Sequence, residues 1–353
     1  MNPPEEPRRI LLIRRDNIGD LVLVTPLIHA LRERFPAAWI GVLGNSYNTP
    51  VLAHHPEIDQ VFAYDKAKHR PDCGRLAVYT ETLRMLLRLR AHRIDIAMLA
   101  GPGAQRQAAR LARWVKPRTI LGFVEDDAPA GVSLSVPYGD GAGLHEAEDV
   151  FRLGKPLGIE GSPGPCRLGV DQAEMARVRE ALHAAGAGRR RVVGVHLSAR
   201  RERQRWPAGH FASLIETLQA QGDLFFLLLW SPGASDDPRH PGDDAKARAV
   251  LDALAKGAPC LAWPTSSLPD LAAALAQCSL LVCADGGAMH VGAGLNRPIV
   301  AMFGDSPVHR WRPWGVPHAV LQSPSGDVGA IGVGEVAAAC ERLLAEADGT
   351  AGR

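Results

Sequence analysis

Short apolar runs alternate with stretches of helical period along most of this chain. The runs Arg9–Arg14 (RILLIR), Ile40–Leu43, Ile94–Leu99, Val192–His196, Leu224–Trp230, Ser279–Cys283 and Ile299–Phe303 show almost no polar alternation. Strands of that kind are covered on both faces, which predicts parallel sheets flanked by helices. Helical periodicity follows over Leu21–Arg34, Gln105–Val115, Phe211–Gln221, Ala245–Ala255 and Ala288–Leu295. The strand-helix order runs through twice, so the fold class is α/β with two Rossmann-like, doubly wound parallel-sheet domains. Gly158–Pro165, with three glycines and two prolines, makes poor helix or strand and reads as a linker. The expected domains are residues 1–165 and 166–353, the second sheet starting at Val192 after a helical stretch over Gln172–Ala185. The last helix, Glu335–Ala347, fits against either domain.

Composition narrows the function classes. The 353 residues suit two domains, and 40 Lys and Arg against 38 Asp and Glu give a formal charge of +2. That balance offers no whole-molecule case for nucleic-acid binding. Six cysteines without a C-x-x-C pair read as reduced, buried thiols of a cytoplasmic protein rather than disulfides or a zinc site. No apolar stretch has the length of a membrane span, so any membrane contact would be peripheral, and no amphipathic anchor stands out. The segment Ser231–Asp244, rich in Pro, Gly and Asp, reads as a long functional or mobile loop.

In doubly wound folds ligands bind where strands hand over to helices, and four such loops have chemical content. Arg14–Asp20 (RRDNIGD) combines Gly19, which lets backbone approach a ligand, with Asp20 in the first helical turn. Asp20 either complements the helix dipole, with Asp16 or Asn17 as cap, or is a general base kept ionised by Arg14, Arg15 and the dipole. The loop His196–Pro207 offers Ser198, Arg200, Arg201, Arg203 and Arg205 to a diphosphate, though most such charges only face solvent. In Cys283–His290 (CADGGAMH) a strand passes through Asp285, Gly286 and Gly287 into a helix bearing His290. Adjacent glycines leave backbone N–H groups bare at a helix start, a seat for pyrophosphate. His290 either points to the same anion or packs against the sheet. Trp230 and Gly233, leaving the most apolar strand, either hold a base or ribose or belong to the core. There is no G-x-G-x-x-G, no P-loop and no convincing D-x-D motif; Asp243 and Asp244 open a helix and read as capping residues.

The segments RRDNIGDLVLVTPLIHALRERFP, ARRERQRWPAGHF and LVCADGGAMHVGAGLNRPIVAMFGDSP, in that order over nearly the whole chain, resemble glycosyltransferase family 9, the ADP-heptose:lipopolysaccharide heptosyltransferases. The resemblance implies a GT-B-type fold whose two domains face a central cleft, with an acceptor-binding N-domain and a donor-binding C-domain. It implies inverting, metal-independent transfer from a nucleotide sugar, ADP-heptose, to a lipopolysaccharide-core or related glycolipid acceptor, with no cofactor. Asp20 falls on the family's catalytic base, and Asp285, Gly286, Gly287 and His290 fall on its donor-binding residues. Ser198, Arg203, Arg205, Trp230 and Gly233 complete the donor candidates. Gly19, Lys66 and Arg106 are acceptor candidates, with Lys68, His69 and Arg70 nearby as candidates for anionic sugars or as a solvated face. Two departures stand out. Gln204 occupies a position where the family often has a phosphate-binding Lys, and the acidic residues after Gly233 are Asp236 and Asp237 rather than one close behind the glycine. These departures leave open a nucleotide-sugar-binding protein without catalysis, or an enzyme of other specificity such as an epimerase or phosphorylase.

Overall fold

The computed structural model of the chain describes residues 6–65, 75–125, 131–237 and 241–351. It divides into two compact units, Met1–Gly169 and Val170–Arg353. In the first, β1 (Arg9–Ile13) leads through α1 (Ile18–Val22) and α2 (Thr25–Arg34) to β2 (Trp39–Asn45) and β3 (Gln60–Tyr64). Then come α3 (Arg75–Ala91), β4 (Ile96–Leu99), α4 (Arg106–Val115), β5 (Thr119–Val124), β6 (Leu134–Pro137) and α5 (Glu146–Phe151). In the second unit the order is α6 (Gln172–Ala184), β7 (Arg191–His196), α7 (Ala208–Gln221), β8 (Leu224–Trp230), α8 (Asp244–Ala253) and β9 (Cys260–Pro264). It continues with α9 (Leu268–Ala276), β10 (Leu280–Ala284), α10 (Gly287–Gly294), β11 (Ile299–Phe303), α11 (Val308–Trp311), β12 (His318–Gln322) and α12 (Val333–Ala351).

Each unit is one six-stranded parallel sheet, ordered β3-β2-β1-β4-β5-β6 in the first and β12-β11-β10-β7-β8-β9 in the second. Both are doubly wound: the strand order reverses between β1 and β4, and again between β7 and β10. Those switch points, at the carboxyl ends of neighbouring strands whose following helices diverge, are where such sheets open a crevice for a ligand. The central strands are apolar because both faces are covered: β8, LFFLLLW, is buried at every position.

The expected single helix over Leu21–Arg34 is two helices. Pro26 sits in the first turn of α2, where its missing N–H is harmless, and the Thr25 hydroxyl donates to the Val22 carbonyl (2.7 Å), closing the break. The division between units lies a turn beyond the expected 165/166. Residues 166–169 stay with the first unit because the Arg167 N–H donates to Thr25 Oγ1 (3.1 Å), Cys166 is buried, and Gly169 lies against the His54 carbonyl with no room for a Cβ. The last helix, α12, buries Val336, Ala337, Cys340, Leu343 and Leu344 in the core of the second unit, alongside α7 and β10 to β12. The described cysteines 166, 260, 278, 283 and 340 are free, and burial pushes the Cys166, Cys278 and Cys340 thiols up to about 12.

Candidate active site

The loop after β1 folds around one buried guanidinium. Arg14 is the last residue before the loop and is 1% exposed, a burial that an ion tolerates only when fully paired. Its terminal nitrogens donate to Asp20 Oδ1 (2.7 Å), Glu146 Oε1 (2.8 Å) and the Ala100 carbonyl (2.6 Å), and its Nε lies 3.1 Å from Asp16 Oδ2. Ala100 follows β4, so the network spans the β1/β4 switch point. Asp20 is the third residue of α1, and its Oδ2 accepts from the backbone and side-chain nitrogens of the cap residue Asn17 (2.9 and 3.0 Å). Burial works against its charge, but Arg14 and the Asn17 donors outweigh it and hold the Asp20 carboxyl below the usual carboxylate range. Asp20 is 7% exposed, whereas Glu146, on α5, is wholly buried. The arrangement therefore favours the ionised form of a carboxylate that is buried but not wholly closed off.

Asn17 is the cap residue of α1, and Asp20, in the first turn, completes the capping box with it at the β1/β4 switch point. Arg15 Nε donates to the Tyr64 hydroxyl (2.6 Å). Gly19 is buried inside α1, and Arg106 is exposed at the start of α4. Lys66, Lys68, His69 and Arg70 lie outside the described residues.

In the second unit two groups of loop residues gather at the carboxyl end of the sheet. One bridges the β7/β10 switch point. Gln204, 7% exposed, donates from Nε2 to Asp285 Oδ2 (3.1 Å) and to Ser306 Oγ (3.3 Å), tying together the loops after β7, β10 and β11. Beside it Gly286 is the cap residue before α10, with φ 165°, an extended backbone, and a Cβ added there would meet open space. His290 is buried one turn into α10, its ring 6.5 Å from that of Trp311.

The other group joins the loops after β7 and β8. Ser198 Oγ accepts from the Ser231 N–H (2.9 Å), and Arg205 Nε donates to the Ala199 carbonyl (3.0 Å). Lys246, on α8, donates to the Leu197 carbonyl (3.0 Å) and lies 5.1 Å from the centre of the Phe211 ring. Burial pushes the Lys246 ammonium down to about 8, with Arg205 acting in the same sense and Asp243 against it. Burial likewise lowers His196 to about 4, so its imidazole is neutral beside that cation. Arg203 is exposed, as are Arg200 and Arg201, and Arg201 lies 3.8 Å from Asp305.

Trp230 is core: it is 8% exposed, and its Nε1 donates to Asp244 Oδ1 (2.7 Å). Asp244 Oδ2 also accepts from the Gly233 N–H (3.0 Å), so this carboxylate braces the preceding loop rather than capping α8, and the Asp243 side chain makes no cap hydrogen bond either. Gly233 demands glycine because its φ is +123°, and Gly242 because a Cβ there would run into the Gly233 backbone. Those two glycines close a neck, with the Asp243 N–H reaching back to the Ser231 carbonyl (2.9 Å) and the Gly242 N–H to the Ala234 carbonyl (2.9 Å). Asp236 is exposed. Residue-by-residue reading missed Arg14 as the hub, Glu146, Ser306 and Lys246. Among the described residues, no group of three or more His, Cys, Asp and Glu is placed to hold a metal.

The sequence model of glycosyltransferase family 9 (heptosyltransferase) matches residues 82–327. Lipopolysaccharide heptosyltransferase 3 of Escherichia coli is 25% identical over 320 residues, covering 88% of this chain and 86% of that protein. Among solved structures, a family 9 glycosyltransferase of Veillonella parvula superposes with a TM-score of 0.83 at 21% identity, covering 98% of this chain and 100% of that one. An Escherichia coli heptosyltransferase solved with ADP gives a TM-score of 0.74 at 16% identity, with 95% and 99% coverage.

Proposed function

Since the chain belongs to glycosyltransferase family 9 and is a glycosyltransferase of the heptosyltransferase kind, we propose that it transfers heptose from ADP-heptose to a lipopolysaccharide-core acceptor with inversion and without a metal. The observation that carries this reading is the Arg14-Asp20 arrangement, a carboxylate held in its ionised form at a switch point and 7% exposed. A protein that only stored a nucleotide sugar would have no use for it.

In this reading the first unit binds the acceptor, with Gly19, Lys66 and Arg106 as contacts, and the second binds the donor. The acceptor hydroxyl loses its proton to Asp20 as its oxygen attacks the anomeric carbon. The bond from that carbon to the diphosphate oxygen breaks, the electron pair leaves with ADP, and the configuration inverts. Charge growing on the diphosphate is met by the bare N–H groups of Gly286 and Gly287, by His290 and by cations of the β7 loop. Two cations are best placed there: Arg203, exposed on the loop, and Lys246, partly buried beside Arg205. Lys246 supplies, from α8, the ammonium that Gln204 lacks, while Gln204 holds Asp285 by a neutral hydrogen bond. Ser198 steadies the same loop. The related enzyme solved with ADP supports an adenine nucleotide as leaving group. The acceptor being a glycolipid, contact with the membrane is peripheral; no described helix is long and apolar enough to cross one.

Calorimetric titration with ADP, UDP, GDP and CMP, each with and without magnesium, tests the donor half. Tightest binding of ADP, unchanged by magnesium, is expected. Preference for another nucleotide would move the donor, and binding that required magnesium would end the metal-independent part of the proposal.

A further inference from the structure

Four large apolar side chains are exposed among the described residues, and three of them, Leu83, Leu87 and Trp114, sit on two neighbouring helices of the first unit. On α3, Met85, Leu86 and Leu89 turn into the core, which leaves Leu83 and Leu87, one turn apart, 45% and 55% exposed on the outward side. On α4, Ala108, Ala109, Ala112 and Val115 face the same core cluster, and Trp114 is 56% exposed opposite them. Both helices close over one core cluster, so their outer faces belong to one layer of the unit.

The same faces are strongly cationic. Residues 80–118 contain nine Lys and Arg against two Asp and Glu, in a chain whose totals are 40 and 38. Arg84 and Arg88 flank the leucine pair, Arg110 and Arg113 flank Trp114, and all four are exposed. Of the two acids, Asp95 is buried and accepts the backbone N–H groups of Arg8 and Arg9 (2.9 and 3.0 Å), so its charge is spent inside the fold.

Apolar side chains set among cations match a surface that is anionic outside and hydrocarbon just beneath. A nucleic acid would use the arginines and leave Leu83 and Leu87 wet; an anionic bilayer uses both. We propose that the outer faces of α3 and α4 dock this protein on anionic phospholipid membranes. The arginines lie at headgroup level, and Leu83, Leu87 and Trp114 enter the boundary below it. The surface stands apart from the sugar-transfer chemistry, because vesicle binding requires neither donor nor acceptor, and its failure would leave the transferase reading untouched.

Co-sedimentation with vesicles of phosphatidylcholine alone or mixed with phosphatidylglycerol tests it. The full-length protein is expected to pellet with the mixed vesicles, weakly with the neutral ones, and less as salt rises. At about fivefold per cation, replacing Arg84, Arg88, Arg110 and Arg113 together by Gln weakens partitioning by roughly several hundredfold. Replacing Leu83, Leu87 and Trp114 together by Ser weakens it by at least about tenfold. All seven side chains are exposed, so melting temperatures near the wild-type value check that both variants fold. Equal binding to both vesicle types, or a charge variant that still pellets, would overturn the proposal. So would an apolar variant that binds as well as wild type, because the face would then be a site for any polyanion, an acidic protein included.

Discussion

Replacing Asp20 by Asn removes one negative charge and keeps the shape of the side chain. Two effects follow, and the structure separates them. Arg14 loses one of its anions but keeps Glu146 at 2.8 Å and the Ala100 carbonyl at 2.6 Å, so the stability cost is about 1–3 kcal/mol, that of a weakened charged hydrogen bond. Loss of a general base slows the chemical step by about 10²–10⁴-fold, roughly 3–5 kcal/mol of barrier. Glu146→Gln is the control. It changes the charge around Arg14 by the same amount, 2.8 Å from the same guanidinium, yet Glu146 is 0% exposed and touches no substrate. Transfer is measured as ADP release from ADP-heptose in the presence of a heptose-deficient core acceptor, and folding by denaturant titration. Both variants are expected to lose similar stability, with only Asp20→Asn losing kcat, at an unchanged KM for the donor. The acid limb of kcat for the wild type is expected below the usual carboxylate range, because Arg14 and Asn17 hold Asp20 ionised. Transfer within tenfold of wild type in Asp20→Asn would refute the base assignment. An equal kcat loss in Glu146→Gln would show that Asp20 acts only through Arg14.

Lys246→Met is expected to weaken ADP binding by about 10–100-fold, the loss of one hydrogen bond from a charged donor. Wild-type affinity is expected to fall as pH rises through about 8, where the ammonium loses its proton; titration at pH 7 and 9 checks both. Gly286→Ala leaves the fold alone, since its Cβ would meet open space at an extended φ of 165°, so a loss of donor affinity of about tenfold or more would come from the ligand itself. Unchanged affinity would remove that helix start from the donor site. His55 and His196 are both buried with pKa values lowered from 6.5 to about 4. Between those values the unfolded chain takes up protons that the native one refuses, so their contribution is intact above pH 6.5 and falls by up to about 3 kcal/mol each toward pH 4. Denaturant midpoints across that range check it, and His55→Gln is expected to flatten the dependence.

The central strands were readable because double-sided burial forces continuous apolar runs, as in RILLIR and LFFLLLW. The strands that escaped are mostly those with less to bury. β3, β6, β9 and β12 are the edge strands, with patterns such as QVFAY, LSVP and HAVLQ in which polar residues shorten or break the apolar run. β5 is buried, yet its sequence TILGFV opens on a threonine and carries a glycine, which hides it. The break between α1 and α2 was marked by Thr25-Pro26, but the amphipathic pattern runs straight through it, and periodicity outweighed the proline.

The site was legible only where function acts along the chain. Asp20 and the Asp285-Gly286-Gly287 turn announce themselves because a helix start confines its chemistry to a few consecutive residues. Arg14 does not, because its meaning depends on Glu146, far along the chain and brought to 2.8 Å by the fold. The cations of the donor loop show the same limit more sharply. From sequence, Arg203 and Arg205 stood out among four arginines only by flanking Gln204, which looked like a missing charge. In the fold, Arg205 is turned onto the Ala199 carbonyl, Gln204 is a buried strut between Asp285 and Ser306, and an ammonium arrives from α8 beside Leu197. A neutral strut at 204 avoids burying a cation next to the half-buried Arg205, and in the proposed donor site Lys246, already partly desolvated, would gain more from a diphosphate than a solvated arginine. Charge at this end of the sheet is therefore set by which helix delivers it, and a linear motif that fixes the position of one lysine cannot see it.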